Sequence, residues 1–388
     1  MSKARNLADL LDASGDVVSG ALDNVPPSND ASALTTGTLP VERVPYVGRR
    51  NLIINGAMQV AQRGTSAVTA TSSGVFTTDR FKCFQSSGST GSWTTEQSTD
   101  APAGFSSSTK ATVASTQSFS TGIAWQLVHQ IEGNNFISTA WGTSSAKDVT
   151  LSFWVKSSVT GAYSVSLHND GYTKNYVTNY SISSANTWEY KTIVVPGETS
   201  GTWLTTNGIG CSLRFNLGCS DSLTGATGSW GSSLFLQGTG AVDWGSNSGA
   251  TFYLTGVQLE VGSVATPFEH RSYGEELALC QRYYNKCVSG QYQSVGLGYY
   301  IATTQVRMNI SLPVSMRTSP SVESSSGTSD FRIEAGSTDY FNGGWNIVAD
   351  GTQNVMIYAT NGVSGTLQNT GAVSTYTTTA YIAFDAEL

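Results

Sequence analysis

In the stretch DVTLSFWVK the apolar residues Val149, Leu151, Phe153 and Val155 occupy every second position, with Thr150, Ser152, Trp154 and Lys156 between them. A period of two places one set on each face of a β-strand. AYSVSLHND repeats the pattern, with Tyr163, Val165 and Leu167 inward and His168 outward. WEYKTIVVPG, CSLRFNLG and TFYLTGVQLEVG read as further strands, each closed by Gly or another turn residue. Between Gln85 and Gly122 a Ser/Thr/Gly-rich tract, punctuated by Trp93, Phe105 and Val113, predicts long loops with one or two strands. Farther on, TQVRMNISLPVSMR alternates Val306, Met308, Ile310 and Leu312 until Pro313 ends it. NVMIYAT and AYIAFDAEL complete a smaller β domain. The reading is an all-β chain with a central jelly-roll β-sandwich over 51–271 and a C-terminal β-sandwich knob over 288–388.

The period changes once, inside LTGVQLEVGSVATPFEHRSYGEELALCQRYYNK. Charge is scarce elsewhere, at 12% of the chain, yet Glu260, Glu269, Arg271, Glu275, Glu276, Arg282 and Lys286 crowd here. Ser272-Tyr-Gly-Glu275 fits the S-x-x-E capping box, in which two side chains satisfy free backbone donors at a helix start. Leu277, Cys280, Gln281 and Tyr284 then recur at helical spacing. A short connecting helix over 272–287 is expected, joining two β domains.

Residues 1–50 differ from the rest. An amphipathic stretch with Leu7, Leu10 and Leu11 stops at Ser14-Gly15-Asp16. After it, Val25, Leu34, Leu39 and Val44 stand isolated among turn formers. Such a segment makes no core alone and becomes ordered only against another surface, either copies of itself or a docking partner; a disordered tail is the alternative.

Bulk composition narrows the function classes. The 41 glycines and 39% hydrophobic content suit short strands and many turns. A net charge of −7 argues against a nucleic-acid partner, which needs a basic face. The start MSKARNLADLLDASGD has no apolar core of a signal peptide, and no apolar run is long enough for membrane insertion. The five cysteines lack any C-x-x-C, which suits reduced, mostly buried thiols of a protein made in a cytoplasm.

No catalytic motif emerges: H-E-x-x-H, G-x-S-x-G and G-x-x-x-x-G-K are all missing, and His129, His168 and His270 are too scattered for a metal set. No enzyme and no cofactor are expected. Aromatics are plentiful, with 17 Tyr, 14 Phe and 9 Trp, and aromatic faces beside amides suit carbohydrate, although strands favour aromatics anyway. Two groups are candidate ligand-binding residues. Trp154, His168 and Arg214 all fall on strand faces opposite the apolar set. DYFNGGW places Tyr340, Phe341 and Trp345 around two glycines, an aromatic loop that a core does not require.

NLIINGAMQVAQRG, TTDRF, DVTLSFWVKSS and FYLTGVQLEVGSVATPFEHRSYGEELALCQRYYNK together resemble a group of bacteriophage tail-fibre or virion-fibre proteins, common among marine phages. ASALTTGTLPVERVP resembles a motif of fibre necks, where identical chains wrap a threefold axis. The match spans about 31–290 and is most specific in the QLE-x-G…PFE…E-x-x-x-C-Q-R-Y-Y run. The resemblance implies a trimeric fibre of the virion, assembled in the bacterial host cytoplasm, with a central domain like a carbohydrate-binding-module jelly roll. Residues 1–50 would be a virion-attachment and neck segment docking on a tail or head protein. The β domains would be presented to host-surface glycan. The chain departs from sugar-binding modules in having no calcium cluster. A head fibre or decoration appendage without a receptor role is the alternative, with a fibre-borne polysaccharide depolymerase behind it. In a trimer, Glu and Arg/Lys of the charged run would pair across subunits while Leu277, Cys280 and Tyr284 face the axis.

Overall fold

The alternation in the first two thirds of the chain closes into two facing sheets. A computed structural model describes residues 49–388, so the attachment and neck segment lies, but for its last two residues, outside the described residues. Its strands are β1 (Val68–Thr69), β2 (Val75–Phe76), β3 (Phe81–Gln85), β4 (Ser92–Ser98), β5 (Ser108–Ser115) and β6 (Ala124–Glu132). There follow β7 (Val149–Ser157), β8 (Gly161–His168), β9 (Asn175–Ile182), β10 (Glu189–Val195) and β11 (Ile209–Cys219). Three short pieces, β12 (Thr224–Gly225), β13 (Trp230–Gly231) and β14 (Gln237–Gly238), precede the long β15 (Thr251–Val261).

One sheet runs β1-β4-β5-β15-β7-β10 and the other β13-β9-β8-β11-β6-β3-β2. The chain passes repeatedly between the sheets, at β1–β2, β3–β4, β5–β6, β6–β7, β7–β8, β9–β10, β10–β11 and before β15, which gives the jelly-roll sandwich expected from the pattern. Val149, Leu151, Phe153 and Val155 of β7 and Tyr163, Val165 and Leu167 of β8 are fully buried between the sheets. Trp93, Trp125 and Trp244 fill the same core, with the Trp93 and Trp125 rings stacked at 6.1 Å. The Ser/Thr/Gly tract supplies β4 and β5, because Trp93, Ala111 and Val113 provide enough inward apolar side chains to anchor them.

The helix Tyr273–Gln281 starts on the expected capping box, with Glu275 N–H donating to Ser272 Oγ and Ser272 N–H to Glu275 Oε2. It leads into β16 (Tyr284–Ser289), β17 (Ser294–Ala302), β18 (Gln305–Ser311) and β19 (Ser321–Ser324). The remainder is β20 (Phe331–Glu334), β21 (Thr338–Phe341), β22 (Asn346–Asp350), β23 (Asn354–Ala359), β24 (Thr370–Thr375) and β25 (Tyr381–Asp385). A three-stranded sheet, β16-β25-β19, and a seven-stranded one, β21-β20-β24-β17-β18-β23-β22, enclose a second core around Met308, Phe331, Ile357 and Phe384.

The charged run is explained within one chain. Glu269 accepts the backbone N–H groups of Arg50 and Asn51, and Glu276 accepts that of Asn55 at 2.6 Å. Arg271 donates to the carbonyls of Ile53 and Asn51 and pairs with Glu269 at 2.8 Å and Glu276 at 3.4 Å. Asn51 and Asn55 complete the lock. Asn51 bridges Val257 and Leu259 of β15, and Asn55 reaches Val60 and Asp79. Here the structure corrects an expectation. Cys280 and Tyr283 pack on Ile54 and Val60 of the same chain, with Leu277 against them. The helix ends at Gln281, so Tyr284 belongs to β16 and not to the helical stripe. The stripe needs no threefold axis to be buried.

Candidate functional site

The site begins with the outward positions of the second sheet. On β3 the pattern FKCFQ turns Phe81 and Cys83 into the core and leaves Lys82 and Phe84 half-buried on the other face. On β6, Gln126, Val128 and Gln130 share that outer face, and register pairs Val128 with Arg214 of β11 and Gln126 with Asn216. After β8 the chain turns tightly. Asn169 Oδ1 accepts the N–H groups of Thr173 and Lys174, and Tyr172 takes a left-handed φ of 52° at the tip. This turn lays the Tyr172 ring beside Arg214, with the guanidinium carbon 5.1 Å from the ring centroid.

A pocket of 150 Å³ opens there, lined by Lys82, Phe84, Val128, Gln130, Tyr172 and Arg214. That is about half the lower bound of roughly 300 Å³ for a small-molecule site, so it takes one substituent or ring edge, and the rest of a ligand lies along the surface. Two half-exposed aromatic rings, an amide and two cationic groups converge on it. Behind the pocket runs a chain of buried polar groups. Arg214 Nη1 donates to Gln126 Oε1 at 2.7 Å, and Arg214 Nη2 donates to the Tyr172 hydroxyl. Gln126 donates to Asn216, which in turn donates to the carbonyl of Leu236, and Ser166 meets His168 Nε2 at 3.0 Å. The network fixes Arg214 from behind while its open side faces the pocket.

The electrostatics follow from burial. Arg214 is only 8% exposed, and its pKa is lowered by loss of solvent, opposed by the Tyr172 hydroxyl. Burial, then the Arg214 charge, holds the His168 pKa well below its usual value, so the imidazole is neutral. Burial and Arg214 also lower the Lys82 pKa. Arg214 Nε and His168 Nδ1 are buried without a hydrogen-bond partner.

The sequence candidates are only partly brought together. Arg214 and His168 share this sheet, but His168 is fully buried and supports the site from behind. Trp154 faces outward from β7, in the opposite sheet, where it pairs with Tyr190 at 5.4 Å. Strand alternation told which residues leave the core but not through which sheet, so the expected single face is two faces. DYFNGGW also needs correction. Phe341 and Trp345 are 1% and 3% exposed and pack with Phe331 in the second core. Tyr340 alone is exposed, against Tyr376 at 4.6 Å. The glycines serve the backbone: a Cβ on Gly343 would lie 1.6 Å from the Ser325 carbonyl oxygen, and Gly344 has φ +80°.

Lys82, Phe84, Gln130 and Tyr172 were not singled out from the sequence. AWQLVHQIE and FKCFQ carry the alternation that marks their strands. The turn that brings Tyr172 to them has no long-range signature.

A larger concavity of 540 Å³ lies between the sandwich and the second β domain, lined in part by Arg63, Phe76, Lys286, Glu323 and Tyr381. Its central charge is already matched. Arg63 pairs with Asp385 at 2.8 Å and Glu387 at 3.4 Å, and lies 3.4 Å from the Tyr284 ring centroid. We read it as a joint. Among the described residues no group of three or more His, Cys, Asp or Glu is placed to hold a metal ion.

No family model matches the chain, and no curated protein matches it in sequence. Solved structures give distant similarities. The enzymatically active domain of tailspike protein 4 of bacteriophage CBA120 is 14% identical over 55% of this chain, with a TM-score of 0.28. The match covers 21% of that tailspike domain, so the chain spans about a fifth of its length. The family 11 carbohydrate-binding module of a Clostridium thermocellum cellulosomal cellulase is 12% identical over 53% of this chain and 99% of the module, with a TM-score of 0.27. The tandem CBM22 domain of Paenibacillus barcinonensis Xyn10C is 10% identical over 88% of this chain and 98% of its own, also at 0.27. At such values the similarity assigns neither ligand nor activity to this chain.

Proposed function

We propose that the chain is an adhesion protein that binds glycan through the Lys82–Phe84–Gln130–Tyr172–Arg214 pocket and carries no catalytic step. The observation behind this reading is the pocket itself: Phe84, Gln130 and Arg214 on sheet strands and Tyr172 on a hydrogen-bonded turn bring aromatic faces and fixed hydrogen-bonding groups together. Sugar rings present C–H faces to aromatics and hydroxyls to amides, and Phe84, Tyr172 and Gln130 offer both. No carboxylate lines the pocket, so it lacks the paired acids of a glycoside hydrolase.

In the same proposal the chain is a fibre or head appendage of a bacteriophage virion, attached through residues 1–50. That part rests on the sequence resemblance over about 31–290. The test has two arms. Purified protein is screened against host-surface oligosaccharides, where Tyr172→Ala is expected to weaken binding about fivefold, the loss of roughly 1 kcal/mol of ring contact. Antibody against the C-terminal domain should decorate intact particles. Glycan binding unaffected by Tyr172→Ala moves the site elsewhere, and undecorated particles remove the virion role.

A further inference from the structure

Arg214 is the buried charge that the fold leaves without an anion. Of the guanidiniums at the joint, Arg63 meets Asp385, Arg271 meets Glu269 and Arg282 meets Glu132, while the half-buried Arg317 is held by the backbone carbonyls of Asn207, Ala386 and Glu387. Arg214 instead has the Gln126 amide oxygen and the Tyr172 hydroxyl, both neutral, and its Nε donor is unpaired. A buried charge is costly unless it is paired, and a guanidinium pairs best with a planar oxyanion that meets two of its N–H groups at once. Lys82 lies on the same pocket wall, and no acid lines the pocket. Burying an arginine on neutral partners costs stability, so the arrangement is understandable as one completed by a ligand.

We propose that the ligand carries a carboxylate, and that the pocket holds the acid group of a uronate-type sugar against Arg214 and Lys82. This rests on the glycan-binding reading above and narrows its substrate class. The volume agrees, since 150 Å³ accommodates an acid substituent and leaves the sugar ring at the mouth between Tyr172 and Phe84. Gln130 is placed to bond a neighbouring hydroxyl.

The test compares oligogalacturonate, its methyl ester and a sulfated neutral oligosaccharide on the full-length chain by calorimetry. The expected result is at least tenfold tighter binding of the free acid than of the ester, weakening as salt rises. Arg214→Gln should remove the preference. Gln130→Glu guards against a simple folding failure, because it places a carboxylate in the pocket itself. It should abolish acid binding and raise the melting temperature, as the internal acid replaces the missing counter-ion. Equal binding of acid and ester overturns the carboxylate assignment and leaves the glycan reading standing. Preference for the sulfated neutral sugar overturns the carboxylate in favour of a sulfate ester. A folded Gln130→Glu protein that still prefers the acid places that preference outside this pocket. Binding of none of the three sugars, with a neutral host glycan bound and sensitive to Tyr172→Ala, overturns only the acid proposal. Binding of no sugar at all overturns both.

Discussion

Arg282 closes on Glu132 through two hydrogen bonds, Nη2 to Oε1 at 2.6 Å and Nε to Oε2 at 2.9 Å. Glu132 ends β6 in the sandwich, and Arg282 caps the connecting helix while reaching the Ser315 carbonyl of the second β domain. Tyr283 and Asn134 donate to the same carboxylate, which is almost wholly buried. Replacing Glu132 by Gln leaves Arg282 without its anion and removes two charge-assisted bonds. We expect a loss of about 2–3 kcal/mol, at the low end for a broken buried pair because Arg282 is one-third exposed. Urea unfolding checks this, and an unchanged midpoint would show that the pair contributes nothing to joining the domains.

Stability should depend on pH with two opposite signs. Burial raises Asp79 to about 6, well above its ordinary 3.8, although Gln62 donates twice to it. The folded state therefore takes up this proton first, and stability is gained as pH falls from about 6 towards 4. At Glu132 and Glu269 burial pushes the pKa up, but hydrogen bonds and arginines outweigh it and hold both below 4.5. Their contribution is present above 4.5 and is lost as pH falls through the lowered values. His129 and His168 oppose that gain: burial holds their pKa values well below 6.5, so the unfolded chain takes up their protons first and stability is lost as pH falls below 6.5. In a melting-curve series Asp79→Asn should therefore lose stability more steeply than the wild type as pH falls from about 6 towards 4, and equal slopes would show that the Asp79 proton contributes nothing.

DYFNGGW gives a third prediction, about stability and not binding. Phe341→Ala or Trp345→Ala empties a ring site in the second core and should cost about 3–5 kcal/mol. Gly343→Ala sets a methyl group against the Ser325 carbonyl and should destabilise as well. Tyr340→Ala should change the melting temperature little, since that ring is 44% exposed. Equal tolerance of all four substitutions would mean that this segment is looser than the packing implies.

These cases show what sequence pattern reveals. Period-two alternation in DVTLSFWVK and TQVRMNISLPVSMR located strands and their inward residues, because burial of one face is a local constraint. The capping box was legible because all its bonds lie within four residues. Sheet membership was not, since it depends on crossovers, and so Trp154 parted from Arg214. Aromatics around glycines looked like a binding loop, yet the chain path of Ser325 made those glycines packing residues. The pocket needed four segments, β3, β6, the turn at Tyr172 and β11, whose meeting no single stretch encodes.

The last prediction concerns assembly. A helix stripe with no partner in its own chain would favour association of copies, as in the trimer whose axis Leu277, Cys280 and Tyr284 would face. In the structure Cys280 and Tyr283 are fully buried against Ile54 and Val60, and Glu269, Arg271, Glu276 and Arg282 find partners in the same chain. Within the unit Arg49–Leu388 the helix therefore buries Cys280 and pairs its charges without a second copy, and Tyr273 at its start is its one large exposed ring, at 57%. A protein of residues 49–388 is expected to run as a monomer in light scattering at micromolar concentration. Self-association of the full-length chain would then have to pass through residues 1–48. A trimeric mass for 49–388 would instead show that the sandwich or the second β domain carries its own interface.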